Sequence, residues 1–278
     1  MKVLLLSGSH SRHEFMLRDI INLYDDIQFK IVVMRREDVI PKFPERDLNP
    51  SKLQKILFKH HFDLRYKLES EYFGQNDVTI HNRLRNVEVV NVTKIEITGA
   101  RFIQEITDFK ADACIVMGFG MLNAQVLEVI PNESINIHLG LSPRYRGSAT
   151  LFWPTYLLDP FCTGTTFHRM NKEPDAGMII HQTLPTFIRS LTLHETAIAA
   201  IQATKIDLSR IFQKVYDGDI LESIPQPIVG KTFLVSDFRI SHLEIVYKYF
   251  NDQVLNYMWP QNNILQLPKL RTPNIHSA

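Results

Sequence analysis

Short β-branched apolar runs alternate along the first half of the chain with segments whose apolar residues recur every three or four positions. Lys2–Leu6 reads as a strand, and Phe15, Ile20, Ile21 and Leu23 give the helix after it one apolar stripe. Phe29–Met34 is the next strand, bounded by the charged Arg35–Asp38. Ile40–Pro50 is a proline-rich, charged loop. Asn49-Pro50 then predicts an N-cap with proline at the first helical position, opening a helix that runs through Leu53, Ile56 and Leu57 to Tyr72-Phe73. Val87–Val92 is a strand, Thr98–Phe109 an amphipathic helix, and Ala111–Met117 a strand apolar enough to be central. A short helix over Ala124–Val129 and the alternating strand Ser134–His138 follow. Strands alternating with helices predict an α/β fold around a mostly parallel, twisted, Rossmann-like sheet.

The second half is less regular. Pro143–Gly147 reads as a rigid basic turn, and a helix starts near Ser148 with Pro154 inside it as a kink. Thr163–Met170 is a strand leading to the Asp-Ala-Gly turn at Asp175, and Met178–Phe187 is another. Thr192–Glu195 has the form of a capping box, starting a helix to about Val215. Beyond Pro225-Gln226-Pro227 come a hairpin-like run at Gly230–Phe233, a final helix over Ser241–Phe250 and a loosely held Leu267–Ala278. These segments predict a main, catalytic domain over 1–218 and a short C-terminal extension over 219–278.

At 278 residues and 45% hydrophobic, the chain can bury one large core with a small appendage. A net charge of +1 supplies no global attraction to nucleic acid or membrane. Cys114 and Cys162 lack metal-ligand spacing, which argues against zinc or a disulfide framework and for a reducing, cytoplasmic setting. The apolar run Val3–Leu6 is too short for a signal peptide or a membrane span.

The chemistry concentrates between Ser134 and Gly177. Asn136 and His138 are two apart on a strand and so share a face. Together with the carboxylate of Asp175 they could polarise a carbonyl, accept a proton and hold the base, as acyl transfer to an amine requires. Gly118-Phe119-Gly120-Met121-Leu122 follows a strand, where α/β sheets bind ligands, and its glycines let a flat ligand approach. The Ser7–Ser11 turn either offers backbone N–H groups to an anion or is an ordinary tight turn; it lacks the GxGxxG of a dinucleotide site. His60-His61 reads as part of a solvated helix or as a face toward an acidic substrate, and His168 as a packed strand histidine.

The run NIHLGLSPRYRG, followed by TGTTFHRMNKEPDAG, resembles the signature of the folate-dependent formyltransferases. That family includes the glycinamide ribonucleotide, methionyl-tRNA and nucleotide-sugar N-formyltransferases. The resemblance covers Ala111–Phe187 well and the N-terminal β-α-β and the tail more loosely. It implies the Rossmann-like formyltransferase fold, 10-formyltetrahydrofolate as donor, no metal, and Asn136, His138 and Asp175 as catalytic residues. It implies further that the pterin lies against Gly118, Phe119, Gly120, Met121 and Leu122 on one side. Met170, Asn171, Lys172, Glu173 and Pro174 stand on the other. Ser9, His10, Arg144, Tyr145 and Arg146 are the expected acceptor contacts, the arginines meeting a phosphate or bracing their loop. Leu139-Gly140-Leu141-Ser142 departs from the family's usual serine-leucine-leucine, and freedom at Gly140 is expected to reshape the acceptor side.

Among acceptors, fewer than ~70 residues follow the long helix, short of a typical added RNA-binding domain, and they carry no dense Lys/Arg stripe. The layout resembles stand-alone enzymes acting on a nucleotide-linked amino sugar. Glycinamide ribonucleotide or methionyl-tRNA as acceptor, and hydrolysis of 10-formyltetrahydrofolate, are the alternatives; a non-catalytic folate binder would leave the polar trio unexplained. Val254–Trp259 is apolar enough to form a homodimer surface or to cover the sheet edge.

Overall fold

A computed structural model describes residues 1–35, 41–44, 46–74, 85–227 and 230–274. Arg36–Asp38, part of the Ile40–Pro50 loop and the last four residues of the tail lie outside the described residues.

The elements in order are β1 (Lys2–Gly8), α1 (Ser11–Leu23), β2 (Gln28–Met34), α2 (Lys52–Phe73), β3 (Val87–Val92), α3 (Ala100–Phe109), β4 (Ala113–Met117), α4 (Ala124–Val129) and β5 (Ser134–His138). Then come β6 (Tyr145–Gly147), α5 (Trp153–Tyr156), β7 (Thr165–Arg169), β8 (Ile179–Thr183), α6 (Leu193–Tyr216), β9 (Lys231–Phe233), α7 (Ile240–Glu244) and α8 (Val254–Met258). Seven strands form one sheet in the order β3-β2-β1-β4-β5-β7-β8. The first five are parallel, and β7 and β8 are antiparallel additions at one edge. This is the mostly parallel α/β sheet that the alternating pattern predicts.

Both faces of the sheet are covered, so its central strands are apolar on both sides. Val3 and Leu5 point into a core shared with α1 and α6, while Leu4 and Leu6 point into one shared with α3 and α4. A third core joins α2 and α5 to the C-terminal extension through Phe58, Phe62, Phe152, Trp153, Phe233 and Val246. Among the described residues no helix is long and apolar enough to cross a membrane.

Several elements differ from the expectation. Ser51, not Asn49, caps α2: its hydroxyl accepts from the Gln54 amide N–H, and the Gln54 side chain accepts from the Ser51 N–H, satisfying two otherwise orphaned donors. The basic turn is partly a strand, because Tyr145–Gly147 pairs in parallel with Lys231–Phe233 as a separate two-stranded sheet. Gly230–Phe233 therefore forms no hairpin. The helix expected from Ser148 begins only at Trp153, which puts Pro154 in the first turn, where its missing N–H costs nothing. The strand expected over Met178–Phe187 closes at Thr183.

The last predicted helix is also not the last. Ile240–Glu244 passes into a π-helical turn over Ile245–Tyr249, and left-handed Asn251 and Asp252 end it before α8. Val254 and Leu255 are buried within this chain's own third core, leaving little of the expected dimer surface beyond Tyr257 and Met258. The tail is tied down at least to Asn274. Arg271 N–H donates to Gln182 at 3.0 Å, and the Asn274 amide donates to the Ile180 carbonyl at 2.9 Å.

Candidate functional site

The strand order reverses between β1 and β4, and such a switch point opens a crevice beyond the carboxyl ends of the strands. A cavity of about 700 Å³ lies there, within the usual size of a small-molecule site. Asn136 and His138, at the end of β5, line it together with Asp175 from the loop after β7.

Antiparallel register sets Asn136 opposite His168 and His138 opposite Thr166. Asn136 Nδ2 lies 2.9 Å from His168 Nε2, and His168 Nδ1 lies 2.8 Å from the Arg169 carbonyl. With the proton assigned to Nδ1 by that carbonyl, His168 accepts from the Asn136 amide. One Asn136 N–H then has no other partner among the described residues. His168 is therefore part of the cluster and not only a packed strand residue; its registry with Asn136 is set by the pairing of β7 with β5 and has no local signal in the sequence.

His138 Nε2 is 2.8 Å from the Tyr145 carbonyl, which assigns the Nε2 proton and leaves the lone pair of the neutral ring on Nδ1. That atom faces Asp175 Oδ1 at 3.3 Å. Burial pushes the His138 imidazole below its ordinary value, and the Asp175 charge opposes the shift. For Asp175, burial pushes the carboxyl up, but His138, His168 and the Gly147 N–H together pull it down to about 2. The Asp175 carboxylate is thus held ionised, and it favours the imidazolium form of His138 against the effect of burial.

The positions of the two groups depend on unusual backbone. Asp175 is left-handed, with φ of 52°, and its Oδ2 accepts from the Gly147 N–H at 2.8 Å. At Gly140 a Cβ would stand 2.5 Å from His138 Nε2 and 2.6 Å from the Tyr145 carbonyl oxygen. Gly140 therefore gives room for the hydrogen bond that orients the imidazole. Thr166 braces the same loop, donating to the Gly140 carbonyl at 2.8 Å and accepting from the Ser142 N–H at 2.9 Å.

Gly118, Phe119, Gly120, Met121 and Leu122 line one side of the cavity, and Met170, Asn171, Lys172, Glu173 and Pro174 another. The expected acceptor contacts are placed differently. Ser9 and His10 are not on the cavity wall; Arg12 and His13, one turn further on, are. Arg144, Tyr145 and Arg146 are off the wall as well. Arg144 pairs with Asp159 at 3.1 Å, the Tyr145 hydroxyl donates to Asp159 at 2.7 Å, and Arg146 is buried in β6. The Arg-Tyr-Arg run contributes to the site through one atom, the Tyr145 carbonyl oxygen.

Further wall comes from α2 and the C-terminal part of the chain, through Phe58, His61, Phe62 and Arg65 with Thr232–Val235 and Phe238, and from α6 through His194 and Ile198. His61 is buried against His194 and Tyr247, with its Nδ1 2.8 Å from the Tyr247 hydroxyl. It belongs to neither a solvated helix face nor an exposed basic one. Because α2 is only weakly amphipathic, its sequence does not show which side faces the cavity.

Residues 74–205 match the formyl transferase family. A methionyl-tRNA formyltransferase of Agathobacter rectalis is 37% identical over 95 residues, which is 34% of this chain and 30% of that protein. The chain thus spans less than a third of that curated relative's length. A sugar N-formyltransferase from Shewanella superposes with a TM-score of 0.55 at 16% identity, covering 86% of this chain and 78% of the other. An N-formyltransferase from Helicobacter canadensis superposes with a TM-score of 0.54 at 15% identity, covering 90% and 82%. At such identities the superpositions speak to the fold, and the sequence match speaks to descent. Residues 74–205 are thus similar to the formyl transferase family, and the fold over most of the chain is that of known N-formyltransferases.

Proposed function

We propose that this protein transfers a formyl group from 10-formyltetrahydrofolate to the primary amine of a small acceptor, a nucleotide-linked amino sugar. The observation that carries this reading is the approach of His138 Nδ1 to Asp175 Oδ1 at 3.3 Å, beside Asn136, on the wall of one cavity.

An amine attacking a formyl carbon forms a C–N bond, places negative charge on the carbonyl oxygen and must lose a proton. The uncommitted N–H of Asn136 is suited to the oxyanion; losing one such donor typically costs on the order of 100- to 1000-fold in rate. His138 Nδ1 is suited to take the amine proton, directly or through a water, because Asp175 favours the resulting imidazolium. Return of that proton to N10 of the folate as the old C–N bond breaks yields the formamide and tetrahydrofolate. Gly118–Leu122 and Met170–Pro174 supply the two walls proposed for the pterin. The division into 1–218 and 219–278 is retained, with the extension lending Thr232–Val235 and Phe238 to the acceptor side.

The sugar acceptor draws support from the aromatic lining of Phe58, Phe62 and Phe238, which suits a sugar or base face. The Helicobacter canadensis structure is of a complex with folinic acid and dTDP-3-aminofucose. The Agathobacter relative's name motivates tRNA as the second reading. The test is release of tetrahydrofolate from 10-formyltetrahydrofolate, followed without acceptor, with nucleotide amino sugars and with methionyl-tRNA. Sugar-dependent turnover is expected. Turnover only with tRNA would replace the acceptor, and turnover without any acceptor would make the protein a hydrolase.

A further inference from the structure

We propose that Gln182 and Arg271 are positioning residues, through which the segment Arg271–Asn274 straps together the two loops that hold His138 and Asp175. The effect of this strap on turnover rests on the transferase reading. The geometry it fixes stands on the hydrogen bonds alone.

Gln182, on β8, is buried and is not on the cavity wall. Its side-chain oxygen accepts from the Arg271 backbone N–H at 3.0 Å, which assigns the amide nitrogen to the opposite side, where it donates to the Ser142 carbonyl. The Ser142 N–H donates to the Thr166 hydroxyl at 2.9 Å, so both backbone polar groups of Ser142 are bound by β7 and β8. Ser142 stands in a turn closed by the Tyr145 N–H, which donates to the Leu141 carbonyl at 2.9 Å. The Tyr145 carbonyl that leaves this turn orients the His138 ring. An apolar side chain would fill the place of Gln182 without the cost of burying an amide. What the amide adds is a fixed link from the tail to that turn.

The same residue of the tail serves the carboxylate. Arg271 Nη1 donates to the Pro225 carbonyl at 2.7 Å, and the next residue, Gln226, donates to the carbonyls of Asp175 and Gly177. Asn274 completes the strap. Its side chain donates to the Ile180 carbonyl of β8 at 2.9 Å and to the Glu222 carbonyl at 2.8 Å, and accepts from the Glu222 N–H at 2.9 Å. Arg271 therefore stands where two routes meet, its backbone on the His138 side and its guanidinium on the Asp175 side. The 3.3 Å approach of His138 Nδ1 to Asp175 Oδ1 is the distance between the ends of those routes.

Arg271→Ala, Arg271→Lys and Gln182→Met, made in the whole protein, test the strap. Arg271→Ala is expected to lower kcat by about fivefold or more with the KM for 10-formyltetrahydrofolate unchanged, as a displaced catalytic group does. Arg271→Lys, whose ammonium can still donate to Pro225, should restore most of the loss. Gln182→Met keeps the volume of the side chain and removes both of its bonds. It should lower kcat in the same way and speed exchange of the His138 ring N–H with water by about tenfold or more, because the turn that holds the ring opens more often. That exchange is read by NMR of protein labelled on its histidine rings, the signal being assigned by its loss in His138→Gln. Tyr24→Phe, which loses one hydrogen bond to Gln213 at the far end of α1, controls for lost stability and should change neither quantity. Arg271 lies outside the core, so its variants decide the question even where Gln182→Met does not fold. Parent-like kcat in Arg271→Ala, a raised KM in place of a lowered kcat, no rescue by lysine, or parent-like ring N–H exchange in a folded Gln182→Met would overturn the proposal. Faster exchange in Gln182→Met, with no formyl transfer by the parent protein, would remove the transferase reading and keep the strap.

Discussion

The side-chain amide of Gln226 donates to the backbone carbonyl of Asp175 at 2.8 Å and to that of Gly177 at 2.6 Å. A residue of the C-terminal extension thus holds the loop that presents the carboxylate, on both sides of its left-handed turn. The extension is built into the site.

Gln226→Ala should leave those carbonyls without their donor and let the Asp175 loop move. Each lost hydrogen bond is worth about 1 kcal/mol of stability, and a displacement of a catalytic group by about 1 Å can cost on the order of 100-fold in rate. The expected result is a fall of roughly ten- to a hundredfold in kcat with folate affinity nearly unchanged. Parent-like kcat would show that the loop holds its shape without the clamp.

The pH profile of transfer should turn down on the acid side below 6.5, because burial lowers the His138 value from there and only the neutral ring accepts a proton. Asp175→Asn removes the charge that opposes this lowering. The variant should be slower, and its acid limb should move to still lower pH. An acid limb that moves upward or stays in place would separate Asp175 from the base.

Acid should destabilise the fold well before Asp175 titrates. Burial holds His194 neutral down to about 3 and lowers His61 in the same direction, from an ordinary value of 6.5. Below 6.5 the unfolded chain binds protons that these rings in the folded chain refuse, so stability falls with pH by about 1.4 kcal/mol per unit for each such group. Asp175, held at about 2, removes further stability as pH drops below 3.8. Asp252, raised to about 6 chiefly by burial, acts the other way, with its stabilising effect lost as pH rises from 3.8 to 6. Urea midpoints between pH 7 and pH 5 should decline, and decline less in His194→Gln. A flat profile would mean that these histidines titrate normally.

Gly140→Ala tests the packing that orients the imidazole. Its Cβ would meet His138 Nε2, Thr150 Cβ and the Tyr145 carbonyl within 2.6 Å, and overpacking of this kind costs about 1–3 kcal/mol. A lowered denaturation midpoint is expected together with a kcat loss larger than that of an equally destabilised variant remote from the site. Equal losses in the two variants would reduce Gly140 to a packing role.

The cavity wall at Gly118–Leu122 and the strand end at Asn136–His138 were legible because both are local, following strands whose apolar runs mark where they end. The placing of the basic residues was not. Arg144 and Arg146 have the composition of a phosphate site, yet pairing of β6 with β9 turns the run so that only the Tyr145 carbonyl reaches the imidazole. Arg12, Arg65 and His61 sit in ordinary helical sequence, with nothing local to mark the cavity face.

By itself the sequence determined the alternation of strands and helices, the two-sided burial of the central sheet and the pairing of Asn136 with His138 on one face. Periodicity and capping act over a few residues, so they can be read directly from the chain. The tertiary structure decided the placement of the carboxylate through Gln226 and Gly147, the entry of His168 into the cluster and the identity of the cations on the wall. These depend on contacts between segments far apart in the chain, from the pairing of β5 with β7 to the core that packs α2 against the extension.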